Sequence, residues 1–344
     1  MQNVIAWACS LVLLISSEVI RAQDSTSFDF SGYAELYLGA QQGGADERPG
    51  FLYNHTENGL ALNLTFVKYT IRHKRWQLIA APMAGTYARR NMAAEPNAVR
   101  HIYEASLGFQ INENSRLDAG IMPSHIGMET NIGAQQMNLT RGLLAENTPY
   151  YECGLRWSGK TQTGLNWAVL MLNGWQSIAF DLKQNWPAFG VKIQHVKDNG
   201  RVLNYSNYVG QISNRVTAYH NTYGQWPIAD NWKVQTELNY ESVPMEKDFV
   251  GYSIGVSRSF AKTWMAACRF EQVRDDNGSF FRTTGAPVNL NPGGWSVNVD
   301  YNPIEQLKCR VEARRLWSAK GEQLESLPIT SAMWLLTASA SVSF

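Results

Sequence analysis

Long stretches of this chain alternate apolar and polar residues one by one, and that period of two limits the possible folds more than any other feature. From Trp232 onward, Trp232, Val234, Thr236, Leu238 and Tyr240 share one face of an extended strand, and Lys233, Gln235, Glu237, Asn239 and Glu241 share the other. Trp295, Val297, Val299 and Tyr301 oppose Ser296, Asn298, Asp300 and Asn302 in the same way. So do Trp264, Ala266, Cys268 and Phe270 against Met265, Ala267, Arg269 and Glu271, and Leu307, Cys309, Val311 and Ala313 against Lys308, Arg310, Glu312 and Arg314. Side chains of a strand point to opposite faces in turn, so this pattern puts one face in an apolar medium and the other in water.

A soluble antiparallel sheet also alternates. Three details point to a membrane-spanning one. The strands run to about 10–12 residues, near the length a tilted strand needs to cross a bilayer. Their apolar faces are bounded by aromatic residues, Trp232 with Tyr240 and Trp295 with Tyr301, as in the girdles of outer-membrane barrels. The last stretch alternates Trp334, Leu336, Ala338, Ala340, Val342 and Phe344 with Leu335, Thr337, Ser339, Ser341 and Ser343, and ends on the aromatic Phe344. Every backbone N–H and C=O in hydrocarbon needs an internal partner, so such a sheet has to close on itself. The expected fold is therefore all-β: a transmembrane antiparallel up-and-down barrel.

Connections alternate in length along the chain. His73–Arg75, Asn112–Asn114, Ser158–Gln162, Asp198-Asn199-Gly200, Pro227–Asn231, the step at Ala261 and Asn302–Ile304 are short. Gln41–Glu57, Arg89–Arg100, Pro123–Pro149, Gly174–Trp186, Val243–Asp248, Arg274–Gly293 and Ser318–Thr330 are longer. Short periplasmic turns and long extracellular loops have this rhythm. The count comes to about sixteen strands, within fourteen to eighteen. Leu60–Arg72, Leu165–Leu172 and Val202–Thr222 are weakly patterned. Lys68, Arg72, Arg258 and Arg315 are expected as snorkelling exceptions near strand ends of the lipid face.

Composition narrows the function classes. Charged residues make up 17% of the 344, against roughly 25% in a soluble domain. A formal net charge of +1 gives no basic excess for nucleic acid. The apolar stretch Val4 to Ile15, followed by Ser16, Ser17 and Ala22, reads as a secretory signal peptide, although it carries no Lys or Arg before it. Residues 1–22 are expected to be cleaved, leaving 23–344 as a single barrel domain. No later segment reaches about 18 consecutive apolar residues, which excludes a helical membrane protein. Cys153, Cys268 and Cys309 are too few and too far apart for a disulfide framework or a metal site.

The segment Gly120-Ile121-Met122-Pro123-Ser124-His125-Ile126-Gly127-Met128-Glu129 is followed by Thr140-Arg141 and by Ala145-Glu146-Asn147-Thr148-Pro149-Tyr150-Tyr151-Glu152-Cys153-Gly154. With the opening Phe30-Ser31-Gly32-Tyr33, these stretches resemble the OmpL-like β-barrel outer-membrane porin family of Bacteroidetes. The resemblance spans the mature chain and is densest between Gly120 and Gly154. It implies an outer-membrane barrel and, by family naming, a porin. Cys153 stands where that family carries a small residue.

The strand reading points Arg116, Arg156, Lys192, Lys233, Arg269, Lys308, Arg310 and Arg314 inward, with Glu35, Glu104, Asp118, Glu152, Glu237, Glu271 and Glu312. Eight positives against seven negatives give a mixed wall with at most a slight anion preference. In general porins the third long loop folds inward. Here that is Pro123–Pro149, and His125, Glu129, Arg141 and Glu146 are the expected constriction residues, facing wall charges of opposite sign. Ser124 and His125 are neighbours on extended backbone and point apart, a poor nucleophile and base. No HExxH, Walker or GxSxG motif occurs. His73, His101, His195 and His220 are scattered, and the sequons at Asn54, Asn63, Asn138, Asn204 and Asn277 arise by chance. Asp275-Asp276-Asn277-Gly278 reads as a turn.

The sequence thus leads to passive diffusion of small hydrophilic solutes or ions, with no cofactor, no metal and no nucleic acid. The expected partners are outer-membrane lipid and lipopolysaccharide, the barrel-assembly machinery through the strand ending in Phe344, and two further copies in a homotrimer. Both termini are expected in the periplasm. A plugged barrel serving as an adhesin or receptor through its long loops is the alternative, and a barrel hydrolase a more distant one.

Overall fold

The computed structural model describes residues 26–43, 48–180, 186–212, 215–244, 248–276, 280–281, 291–318 and 332–344. The expected signal peptide 1–22, most of the loop Ser318–Thr330, and Asn277 and Gly278 lie outside them. The chain is a closed sixteen-stranded antiparallel barrel in which each strand pairs with its sequence neighbours and the last returns to the first. The strands are β1 (Thr26–Gln41), β2 (Gly59–His73), β3 (Trp76–Ala84), β4 (Ile102–Asn112), β5 (Ser115–Pro123), β6 (Tyr151–Lys160), β7 (Leu165–Leu172) and β8 (Ala188–Val196). They continue as β9 (Val202–Ile212), β10 (Arg215–Ala229), β11 (Trp232–Ser242), β12 (Phe249–Ser259), β13 (Trp264–Asp275), β14 (Pro292–Ile304), β15 (Leu307–Ser318) and β16 (Ala332–Ser343).

Short turns and the residues Thr26 and Phe344 lie at one end, the turn end, and the longer connections lie at the loop end. The turn after β8 closes by Gly200 N–H to Lys197 O at 2.9 Å, with Gly200 at φ 79°, a conformation that favours glycine. Only positions 213–214 separate β9 from β10, so one loop-end connection is as short as a turn. The seam is sealed down to the last residue: Gly32 N–H bonds Phe344 O at 2.9 Å, and Phe344 N–H bonds Gly32 O at 3.1 Å.

Burial is inverted relative to a water-soluble fold. Leu238 is 50% exposed on the outer face, while its neighbour Glu237 is 4% exposed within. Such an outer surface suits lipid, and closure leaves no strand edge unpaired inside it. Trp232, Tyr301 and Phe344 face outward near the turn end, and Tyr240, Trp295 and Trp334 near the loop end. Ring pairs hold these belts: Trp264 on Tyr301 at 4.6 Å, Trp157 on Trp167 at 4.9 Å and Trp295 on Trp334 at 5.1 Å. Arg258 lies over Trp232 and Arg315 over Trp334, both on the outer face near strand ends.

Lys68 and Arg72 were expected on the lipid face, and the structure corrects this. The β1–β2 register shifts between Glu35 and Leu36, so that Asn63 bulges. A bulge places two consecutive residues on one face. From there toward the turn end, Leu64, Phe66, Lys68, Thr70 and Arg72 pair with the inward register of β1. Lys68 then meets Glu104 at 2.5 Å and Arg72 meets Asp29.

The inner face is not polar throughout. Toward the loop end Leu170, Leu172, Tyr208, Tyr219, Phe249, Val273, Leu316 and Leu335 point inward and form a core with Phe51, Leu52, Ile126, Leu143, Leu144 and Phe281 from the loops. Burying each such side chain contributes about 1.5–3 kcal/mol. A second cluster joins Tyr33, Phe66 and Met83 to Tyr87 and Ala88 of the short helix α1 (Thr86–Asn91) and to Tyr150. The loops therefore fold into the barrel because their apolar side chains find an apolar stretch of wall.

Candidate functional site

The loop between β5 and β6, residues 124–150, is the main occupant of the lumen. Its root is a histidine held on two sides. His125 Nδ1 meets Glu152 Oε1 on β6 at 2.7 Å, and Nε2 meets the backbone carbonyl of Asn207 on β9 at 2.7 Å. That carbonyl is free to turn inward because the Asn207 side-chain oxygen takes over its ladder bond from Val191 N–H, at 2.9 Å. The imidazole packs over Gly190, where a Cβ would lie 2.6 Å from Nε2. Ser124 Oγ donates to the same Glu152 carboxylate at 3.1 Å. Ser124 and His125 therefore share one carboxylate instead of bonding each other, an arrangement without a nucleophile–base pair.

From the root the loop crosses to the far wall. Gly127 N–H reaches Asn221 on β10, and Glu129 Oε1 accepts from Arg269 Nη1 on β13 at 3.0 Å. Arg310 on β15 then holds four loop carbonyls, Gly133 at 2.7 Å, Gln136 at 3.2 Å, Met137 at 3.0 Å and Asn138 at 3.1 Å, while its Nε pairs with Asp300 at 2.8 Å. Asn138 Nδ2 donates to Asn298 on β14 at 2.7 Å, and Thr140 N–H to Glu312 at 3.1 Å. Arg269 donates to Thr140 O, Arg314 to Arg141 O, and Leu143 N–H donates to Glu271. Lys308 caps Ala134 O at 2.7 Å. A guanidinium has five donors in a rigid fork, which lets one side chain satisfy a bend of irregular backbone.

The loop closes on itself through the short helix α2 (Leu143–Glu146). Arg141 lies over the Tyr150 ring at 3.9 Å, and Tyr150 donates its hydroxyl to Glu146 at 2.5 Å. Glu146 also accepts from Tyr53 N–H in the first loop at 2.7 Å. Burial pushes the Glu146 carboxyl above its usual range, against the pull of Arg141 and these donors.

Of the four loop residues expected to face wall charges of opposite sign, His125 and Glu129 meet Glu152 and Arg269. Arg141 and Glu146 turn instead to Tyr150 and the first loop. On the wall, Glu35 accepts from Asn63 at 2.7 Å and lies 3.4 Å from His55, and Glu237 accepts from Asn221 at 2.6 Å. Asp118 is shared by Arg116 and, at 3.2 Å, Arg156. Arg314 pairs with Glu271 at 2.5 Å. Lys233 stands near the turn end of β11, exposed. Asp300, Asn298 and Asn221 were not among the expected site residues, although they occupy the polar register of their strands. His55, which reaches Glu35 from the first loop, carries no sequence signal at all.

Two cavities adjoin the loop, one of about 550 Å³ between the turns and the loop root on the β4–β8 side, and one of about 490 Å³ under the loop toward β1. Ser124 and Lys192 line both, so the two adjoin there. Among the described residues no cluster of His, Cys, Asp and Glu could hold a metal ion.

No curated protein sequence matches the chain. Solved structures do match over nearly its whole length. The outer membrane channel DcaP of Acinetobacter baumannii shares 13% identity and covers 93% of this chain and 98% of its own, with a TM-score of 0.63. Salmonella typhi OmpF, solved with daunomycin, shares 11% identity at a TM-score of 0.64, covering 92% and 97%. The trimer form of in-vitro folded OmpT from Vibrio cholerae shares 10% at a TM-score of 0.62, covering 93% and 100%. At such identities the likeness is one of fold. The sequence itself matches, over residues 27–344, the family described as "Putative beta-barrel porin-2, OmpL-like", and the chain belongs to that family of outer-membrane barrels.

Proposed function

We propose that the chain is a diffusion channel through which small hydrophilic solutes and ions cross the outer membrane. The observation that carries this reading is the pair of adjoining cavities on the turn side of the inward loop, each with charged side chains in its lining, inside a wall that is charged on both flanks. A sixteen-stranded barrel is too wide for wall side chains alone to fill, so the loop sets the bore. His125 and Glu129 fix it to the wall, and Arg141 and Glu146 hold its return. The short turns and both termini face the periplasm, and the outward aromatic belts sit at the lipid boundaries, the outer one beside lipopolysaccharide. Residues 1–22 are removed on export, the barrel-assembly machinery reads the strand ending in Phe344, and three copies associate, as in the trimer form of OmpT. The chain carries no catalytic role.

Planar-bilayer recording tests this reading: wild type gives discrete conductance steps, and deletion of Gly133–Leu139 raises their size. The apolar core between loops and wall favours a second reading, a plugged barrel whose loops bind a partner. Silent bilayers for both proteins would overturn the channel and leave the plugged barrel.

A further inference from the structure

The larger cavity has a specific charge geometry. One row of inward positions runs Arg116, Ser158, Ala168, Lys192 across four adjacent strands, because each is the register partner of the next. At about 4.8 Å per strand, the two cations stand about 14 Å apart along the sheet. Only the small side chains of Ser158 and Ala168 lie between them. Arg156 enters from the inward position one step toward the loop, and Ser124 with His125 forms the roof. Three cations therefore surround a recess with a small-residue floor.

Their charges are only partly spent. Arg116 spends three of its five N–H donors, from Nε and Nη2 on Asp118 and from Nη1 on Gln77, and Asp118 is the one carboxylate among the described residues that engages Arg116 and Arg156. Arg156 Nε is buried and has no hydrogen-bond partner. Lys192 makes no ion pair with any described residue. Glu152, the carboxylate whose charge acts on Lys192, already accepts from Ser124 Oγ and His125 N–H and meets His125 Nδ1. Glu113 stands at the exposed turn, at the mouth. Around the cations the recess offers the amide of Asn166 and the amide oxygens of Gln110 and Gln194, whose Nε2 groups already donate to Asn112 O and Ser115 O and to the Tyr223 hydroxyl. In the adjoining cavity the buried guanidinium of Arg141 also has Nε and Nη1 without partners.

We propose that this recess binds a small polyhydroxylated anion, a sugar acid or sugar phosphate, with Arg116, Arg156 and Lys192 on the anionic group and the amides on its hydroxyls. The proposal rests on the channel reading and names its solute class. Arg156 and Arg116 approach the anion from one end of this row and Lys192 from the other, and Lys192 passes it toward Arg141.

Calorimetry on the full barrel in detergent, with glucose 6-phosphate, glucuronate and glucose as probes, tests the site. Both anionic sugars bind and glucose does not. Lys192→Gln and Arg156→Gln each weaken binding roughly tenfold, whereas Arg258→Gln on the outer face leaves it unchanged. In bilayers the anionic sugars interrupt the current and glucose does not. Equal binding of glucose, or binding indifferent to Lys192→Gln, overturns the site. Binding in detergent with silent bilayers keeps the site and removes the channel. Conductance without binding removes the site and keeps the channel.

Discussion

Arg269, Arg310 and Arg314 on the β13–β15 wall and Arg116, Arg156 and Lys192 on the β5–β8 wall occupy the same inward register, yet they do different work. On the first wall the guanidiniums are buried and most of their nitrogens donate to loop carbonyls and to Asp300, Glu129 and Glu271, with Arg269 Nε and Nη2 and Arg314 Nε sealed in without a hydrogen-bond partner. On the second wall Asp118 serves Arg116 and Arg156, Arg116 also donates to Gln77, and all three cations line a cavity. A tally of wall charges therefore says little about selectivity. What counts is which donors the protein has already used, and one loop decides that by leaning on one side of the barrel.

The strongest way to break this contrast is Arg310→Ala. It leaves buried Asp300 with only the more distant Lys308 as a cation, at 4.0 Å, and takes a donor from each of four loop carbonyls, and is expected to cost about 3–5 kcal/mol in denaturant unfolding, with larger and noisier conductance. A loss near zero would mean the guanidinium is not the loop's clamp. Gly190→Ala probes the root instead: its Cβ would collide with the His125 ring, an overpacking cost of about 1–3 kcal/mol with the clamp intact. An unchanged unfolding midpoint would place the root elsewhere.

Glu146 gives a pH test of the return arm. Its carboxyl is raised by burial, so between the ordinary carboxylate range and the raised value the folded chain keeps a proton that the unfolded chain releases. Stability falls as pH rises through that window. Glu146→Gln is expected to flatten this slope, and parallel profiles for variant and wild type would contradict it. Lys192→Gln should have the smallest effect on stability, within about 0.5 kcal/mol, while moving the reversal potential in a salt gradient toward cations. A variant that unfolds easily instead would make Lys192 a structural residue like Arg310.

Much of the barrel was legible because lipid outside and water inside impose opposite demands on alternate residues. Strands β11 and β13–β16 carry that alternation over most of their length, breaking only toward the loop end where Val273, Leu316 and Leu335 turn inward, and each face lies where the period of two puts it. Legibility failed where a third environment intervened. On β7, Leu170 and Leu172 face the loop core while Val169 and Met171 face outward, so both sides are apolar and the period vanishes. On β2 the period survives but its phase slips at Asn63, which is why Lys68 and Arg72 changed sides. For the site, the inward register of charges such as Glu237, Arg269 and Arg310 follows from the alternation of their strands, whereas that of Lys68 does not. Their partners could not be read, since pairing depends on a loop whose path is set by Arg310, Asp300 and the apolar core together.

The route of the 124–150 segment also bears on how the molecule is made. Its main wall anchors lie on strands synthesised after it: Glu152 follows at once and Asn207 later, but Arg269, Asp300, Arg310 and Glu312 arrive more than a hundred residues later. Those late anchors exist only once β13–β15 are in place, so the segment can settle fully only when the wall around it is nearly or wholly built, entering by the open loop end. A fault in it is therefore expected to surface in a barrel that has closed, as altered permeability and lowered stability.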